Sequence, residues 1–107
     1  MPVVELTDSE FVARIVAHPV ALVDFHAGWS APCVVFKPIF KRLAADYPGV
    51  PFFLIDIETH PGVNRLYPIG DLPFLGVFRD GELTEGYSTS DENRFRSFLD
   101  RTFGRVR

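Results

Sequence analysis

The chain of 107 residues has one cysteine, Cys33. A single thiol excludes a disulfide within the chain, so cysteine usage gives no sign of an oxidising compartment. Basic residues are not in excess: 11 Lys and Arg stand against 14 Asp and Glu, for a net charge of −3. That balance argues against nucleic-acid binding, which is carried by a basic stripe. Arg101, Arg105 and Arg107 make a small basic C-terminal end, which suits a helix C-terminus better than a phosphate site. No apolar run approaches the roughly 20 residues of a membrane span. Met1 to Asp8 lack the basic stretch and long apolar core of a signal peptide. The expectation is a cytoplasmic monomer with no membrane attachment. His18, His26 and His60 are dispersed, and one cysteine adds no ligand pattern, so neither a metal nor a cofactor is expected.

Apolar residues, by contrast, are plentiful. They make up 47% of the chain and include eleven phenylalanines, enough for a core in one domain over residues 1–107. Thr7-Asp8-Ser9-Glu10 reads as a capping box, with Phe11, Val12, Ile15 and Val16 as the helical face behind it. His18-Pro19 stops that helix. Val20 to His26 and Phe52 to Ile57 are runs that suit central strands covered on both faces. Between them a helix starts near Ser30 or Ala31, with Phe36, Ile39, Phe40, Leu43 and Tyr47 as its apolar stripe. Pro38 should kink it, and Pro48-Gly49 ends it.

A short helix is expected from about Pro61 to Tyr67. Phe74 to Arg79 and Leu83 to Tyr87 flank Asp80-Gly81, a hairpin turn. Thr89-Ser90-Asp91-Glu92 reads as a second capping box, opening a last helix that turns Phe95, Phe98, Leu99 and Phe103 inward. The order α-β-α-β-α-β-β-α predicts an α/β fold. Its central mixed sheet has four to five strands, parallel crossovers and an antiparallel edge, with helices on both faces.

The chemistry gathers at Trp29-Ser30-Ala31-Pro32-Cys33, between a strand and a helix. A thiol in the first turn of a helix meets unpaired N–H groups and the positive end of the dipole, surroundings that favour thiolate. A second thiol three residues earlier would complete a C-x-x-C redox pair, but that position is Ser30. Serine there is a good N-cap, and its hydroxyl is also placed to bond the Cys33 sulfur. As a nucleophile it would need a base, and His26 leaves its strand in another direction. Asp24 stands in an apolar strand, where a carboxylate is costly unless paired or protonated.

Ala21 to Cys33, with its Val-Asp-Phe and Trp-Ser-Ala-Pro-Cys, resembles the active-site segment of the thioredoxin family, whose pattern is Val-Asp-Phe followed by Trp-Cys-Gly-Pro-Cys. Pro38 matches the family's helix kink, Asp71-Leu72-Pro73-Phe74 its cis-proline loop, and Asp80-Gly81 its hairpin. The resemblance covers nearly the whole chain and implies the thioredoxin fold. It implies that Cys33 stands at the resolving cysteine, that Ser30 replaces the nucleophilic one, and that Asp24 is the proton acceptor beneath them. It also implies a peptide groove formed by Trp29, Pro32, Leu72 and Pro73, rimmed by Ile69. Several positions depart from the pattern: His26 for an aromatic residue, Leu54 for a lysine near Asp24, Leu72 before the proline, and Gly86 only loosely at the family's glycine. Without a neighbouring lysine, the carboxyl of Asp24 should titrate high.

Three readings follow. The first is a monothiol protein in cell redox homeostasis, acting on protein or peptide thiols and disulfides with glutathione as the releasing thiol, and without dithiol turnover. The second is a non-catalytic, chaperone-like protein-binding module using the same groove. The third is an engineered Cys-to-Ser form of an ordinary thioredoxin, a disulfide reductase, against which His26, Leu54 and the displaced glycine together favour natural divergence.

Overall fold

A computed structural model describes residues 3–104; Arg105 and Arg107 lie outside the described residues. The elements run β1 (Val4–Glu5), α1 (Phe11–Val16), β2 (Val20–His26), α2 (Ala31–Leu43), β3 (Phe52–Asp56), β4 (Phe74–Arg79), β5 (Glu82–Ser88) and α3 (Glu92–Phe103). Short 3₁₀ turns at Ala44–Asp46 and Pro61–Arg65 complete them. The strands form one five-stranded sheet in the order β1-β3-β2-β4-β5. Strands β1 and β2 flank β3 in parallel, and β4 joins β2 antiparallel before turning back into β5.

Alternation along β2 divides the core. Leu22 points to the face under α2 and α3, where it joins Phe36, Phe40, Phe52, Phe95 and Leu99. Val23 and Phe25 point to the other face, with Phe11, Ile15, Val63, Phe74 and Phe78. Ring pairs run through both halves, most of them tilted and some edge-on: Phe36 meets Phe95 at 4.9 Å between centroids, nearly perpendicular. Such pairs each add about 0.5–1.5 kcal/mol beyond the area they bury. The buried Tyr47 hydroxyl donates to Asp100 Oδ1 at 2.6 Å, tying the segment after α2 to α3. Burial, with that bond second, pushes the phenol up to about 12.

The Asp80-Gly81 turn has φ of 52° and 87° at its two residues, the twist that matches a two-residue hairpin. Gly86 is held by close approach: a Cβ there would stand 2.3 Å from Phe74 Cζ.

Several local expectations are corrected. Strand β1 was not expected; two residues are too few to show alternation. Both capping boxes are displaced. Thr7 Oγ1 lies 3.2 Å from Ser9 Oγ, while the Asp8 carboxylate accepts from Gly62 N–H at 3.2 Å, so no side chain caps α1. On α1 only Phe11 and Ile15 are buried, and Val12 and Val16 face out, because six residues present a narrow stripe. At α3 the N-cap is Asp91, whose Oδ2 accepts from Arg94 N–H at 2.9 Å; Thr89 Oγ1 accepts from Asp91 N–H instead. An ionised acceptor makes the stronger cap. The α2 helix ends at Leu43 and tightens into a 3₁₀ turn before the buried Tyr47. The segment expected as a short helix from Pro61 is a 3₁₀ turn.

Candidate functional site

The site is built where β2 ends and α2 begins. Ser30 N–H donates to Ala27 O at 3.1 Å, closing the loop that carries Trp29. Ser30 has extended φ and ψ of −90° and 112° and is the N-cap of α2. Its Oγ accepts from Cys33 N–H at 3.4 Å, and its carbonyl accepts from Val34 N–H at 3.1 Å. Proline fits next, because the first turn of a helix needs no N–H partner at Pro32. The N-cap expectation therefore holds. The bond expected from the Ser30 hydroxyl to the Cys33 sulfur is replaced by the one to the Cys33 amide. Ser30 itself is buried, at 6% exposure.

Cys33 follows as the third helical residue and turns inward, with 1% exposure and no disulfide. Around it Ala31 and Pro32 are exposed, as are Val34, Val35 and Trp29, the last at 70%. The buried thiol thus sits within a stretch of apolar residues open to solvent. Such a thiol reacts with a partner only once that partner is seated or the first turn of α2 shifts.

The peptide bond before Pro73 is cis. Register places it: Phe25 pairs with Phe74, so Pro73, just before β4, stands at the same sheet end as His26. Pro73 is buried, Leu72 is half-buried against the core behind Phe74, and Asp71 and Gly70 are exposed. Trp29, Pro32, Leu72 and Pro73 therefore belong to one end of the fold.

Asp24 lies under α2. It has 0% exposure, and neither carboxyl oxygen has a hydrogen-bond partner among the described residues. Burial drives its carboxyl up to about 8, partly opposed by the Lys37 ammonium. The upward direction is the one expected from the sequence, and at neutral pH most of Asp24 is protonated. The opposing cation was not foreseen. Leu54 stands in register with Asp24 on β3, and the positive charge comes instead from α2. Lys37 follows Cys33 by four residues, one helical turn, which was the available signal. It also reaches Glu5 Oε2 at 3.5 Å.

Two residues along the same strand face, His26 is also enclosed, with Nε2 unpartnered among the described residues. Burial pushes its imidazole below the ordinary value, with Asp56 pulling the other way. Asp56 is its register partner. A cleft of about 320 Å³ opens nearby at the β1–β3 edge, lined by Glu5, Leu6, Thr7, Leu54, Asp56, Thr59 and His60. None of the residues of the Trp29–Cys33 segment lines it. Among the described residues no three His, Cys, Asp or Glu side chains are grouped to hold a metal ion. No helix of the described residues is long and apolar enough to cross a membrane.

Comparison with known proteins agrees with this geometry. The thioredoxin family model matches residues 2–101. The chain is 40% identical to a thioredoxin of Staphylococcus epidermidis over 83 residues, covering 77% of this chain and 79% of that protein. Identity to a thioredoxin of Staphylococcus aureus is 37% over the same shares. Among solved structures, thioredoxin f2 of Chlamydomonas reinhardtii superposes with a TM-score of 0.86 at 14% identity, covering 95% of this chain and 97% of that one. A Plasmodium falciparum thioredoxin gives 0.85 at 19% identity, over 92% and 97%. Fold and sequence agree, and the chain belongs to the thioredoxin family.

Proposed function

We propose that this protein is a monothiol member of the thioredoxin family that docks extended protein or peptide segments at the Trp29–Pro73 end and offers them one thiol, Cys33. The observation that supports the reading is the position of that lone thiol: buried in the first turn of α2, one helical turn before the Lys37 that acts on the buried Asp24, among exposed apolar residues. Trp29 and Pro32 supply apolar contact, and the backbone beside Leu72 and Pro73 supplies strand-like pairing.

The step is thiol–disulfide exchange. The Cys33 thiol gives its proton to the ionised form of Asp24, and the resulting thiolate attacks a partner disulfide. One sulfur bonds to Cys33 and the other leaves as thiolate. With no second cysteine, the mixed disulfide persists until an external thiolate such as glutathione's attacks the partner's sulfur, forming a glutathione–partner disulfide as the bond to Cys33 breaks and Cys33 leaves as thiolate. About a tenth of Asp24 is ionised at pH 7 if it titrates near 8, so the step quickens as pH rises. Ser30 shapes the helix start and takes no part in bond exchange. A monomer in a reducing compartment such as the cytoplasm suits one free thiol.

One observation favours a second reading, a binding module without chemistry: Cys33 is only 1% exposed. Mass spectrometry after incubation with glutathione disulfide or a disulfide-bonded peptide separates the two. Monothiol function predicts one adduct per chain, on Cys33, released by added glutathione. An unmodified native protein that still binds the reduced peptide would establish the second reading.

A further inference from the structure

Two ionisable side chains are enclosed beneath α2, and the exchange step uses only one. Asp24 and His26 are two residues apart on β2, roughly 7 Å along the strand, and alternate residues of a strand share a face. Both are buried, and three of their polar atoms, Asp24 Oδ1, Asp24 Oδ2 and His26 Nε2, lack a partner among the described residues. Hydrogen-bond satisfaction of buried polar groups is the rule, so orphans grouped on one face ask for a common explanation. A carboxyl and an imidazole complement each other: whichever carries the proton donates to the other.

The surroundings give the pair a way out. Leu54 and Leu75 flank Asp24 in register on β3 and β4, so neither neighbouring strand offers it a proton. His26 is flanked on β3 by Asp56, which lines the open cleft with Glu5 and His60. The charged groups that act on the pair are Lys37 and Lys41 from α2, Glu5 from β1 and Asp56 from β3. Asp24 is thus the inner member of the pair and His26 the outer.

We infer that His26 is the proton partner of Asp24, carrying protons between the buried carboxyl and solvent at the Asp56 side of the cleft. The inference rests on the reading of Asp24 as the acid–base group of Cys33. In the outward step the carboxyl O–H breaks and a bond forms at Nε2, giving carboxylate and imidazolium. The imidazolium then yields its proton to water and returns to neutral. Uptake is the reverse, and no electrons change hands. Burial acts on the two groups in opposite directions, holding the carboxyl protonated and the imidazole neutral, so the pair keeps one mobile proton around neutral pH. His26 is a positioning residue, acting on Cys33 only through Asp24.

The test is an NMR titration from pH 4 to 10, following Asp24 Cγ and the His26 ring nitrogens in the wild type, His26→Gln, His26→Phe and Asp24→Asn. Circular dichroism checks that each variant is folded, and glutamine keeps a polar group where phenylalanine does not. The expected result is two shared inflections at both residues in the wild type. In both His26 variants Asp24 should show one inflection, a pH unit or more higher, and in Asp24→Asn the His26 ring should lose one of its two. An Asp24 curve identical in the wild type and both His26 variants would overturn the inference. Cys33 alkylation rates in the same proteins separate it from the reading beneath it. If Asp24→Asn leaves the alkylation profile unchanged, the acid–base reading fails and takes this inference with it. If Asp24→Asn alters the profile but the His26 variants change neither it nor the Asp24 titration, only the role of His26 fails.

Discussion

Asp24 stands in register with Leu54 across the β2–β3 ladder, so the buried carboxyl has an apolar side chain where a strand-borne cation would neutralise it. The positive charge reaches it from above, through Lys37 one turn below Cys33 on α2. Thiol, carboxyl, imidazole and ammonium are thereby collected at the junction of one strand and one helix. Titration of the carboxyl and the imidazole is governed more by burial than by pairing.

That burial makes stability depend on pH. Asp24 titrates near 3.8 when exposed and at about 8 when folded. Between those values the folded chain binds more protons than the unfolded one, so stability is complete below about pH 4 and declines as pH rises towards 8. Asp24→Asn removes this decline. Urea denaturation should give similar stability for the two proteins near pH 4 and a gain of ~4 kcal/mol for the variant at pH 7, levelling above pH 8. A gap that does not grow with pH would mean that Asp24 is already ionised in the neutral protein.

Lys37→Met tests the source of the opposing charge. Removing the ammonium should raise Asp24 above about 8 by roughly a unit and raise His26 as well, both read by NMR titration. Loss of the exposed Lys37–Glu5 pair should itself cost little, about 0–1 kcal/mol. Unmoved titrations would confine Lys37 to that surface pair.

Position 30 separates structure from chemistry. Ser30→Ala deletes the side-chain cap on the Cys33 amide and should cost about 1 kcal/mol in thermal or urea unfolding. Ser30→Cys should convert the site to a dithiol one. Protein-disulfide reduction driven by dithiothreitol should then rise about 100-fold over the wild type, because a second sulfur expels the partner. Failure of Ser30→Cys to turn over would show that the rest of the site no longer supports the reaction.

What the sequence disclosed was mostly local. Asp80-Gly81 announces its own turn, and Val20 to His26 is apolar enough to demand cover on both faces. The Ser30 cap and Pro32 announce the start of α2. Errors arose where distant residues intervene and where a neighbouring side chain is the better acceptor. The box expected with Thr7 as N-cap does not form: α1 begins only at Phe11, and the Asp8 carboxylate is drawn to Gly62, 54 positions on. Asp91 supplants Thr89 because its carboxylate is the better acceptor. At the site, Ser30, Asp24 and Cys33 were singled out from spacing and resemblance; burial followed for Asp24 from its apolar strand and for Cys33 from its place behind position 30, but not for Ser30. The reach of Lys37 to Asp24 and the pairing of His26 with Asp56 depend on sheet register and helix placement, which no local window contains.

The most direct test of the account is the rate at which Cys33 reacts with a small disulfide reagent across pH 5 to 9, compared between native, urea-unfolded and Asp24→Asn proteins. The account predicts native labelling roughly 10- to 1000-fold slower than in the unfolded chain, faster than global unfolding, and with a pH profile that changes in Asp24→Asn. Labelling no faster than global unfolding, with the same profile in Asp24→Asn, would contradict it and leave Cys33 a core side chain.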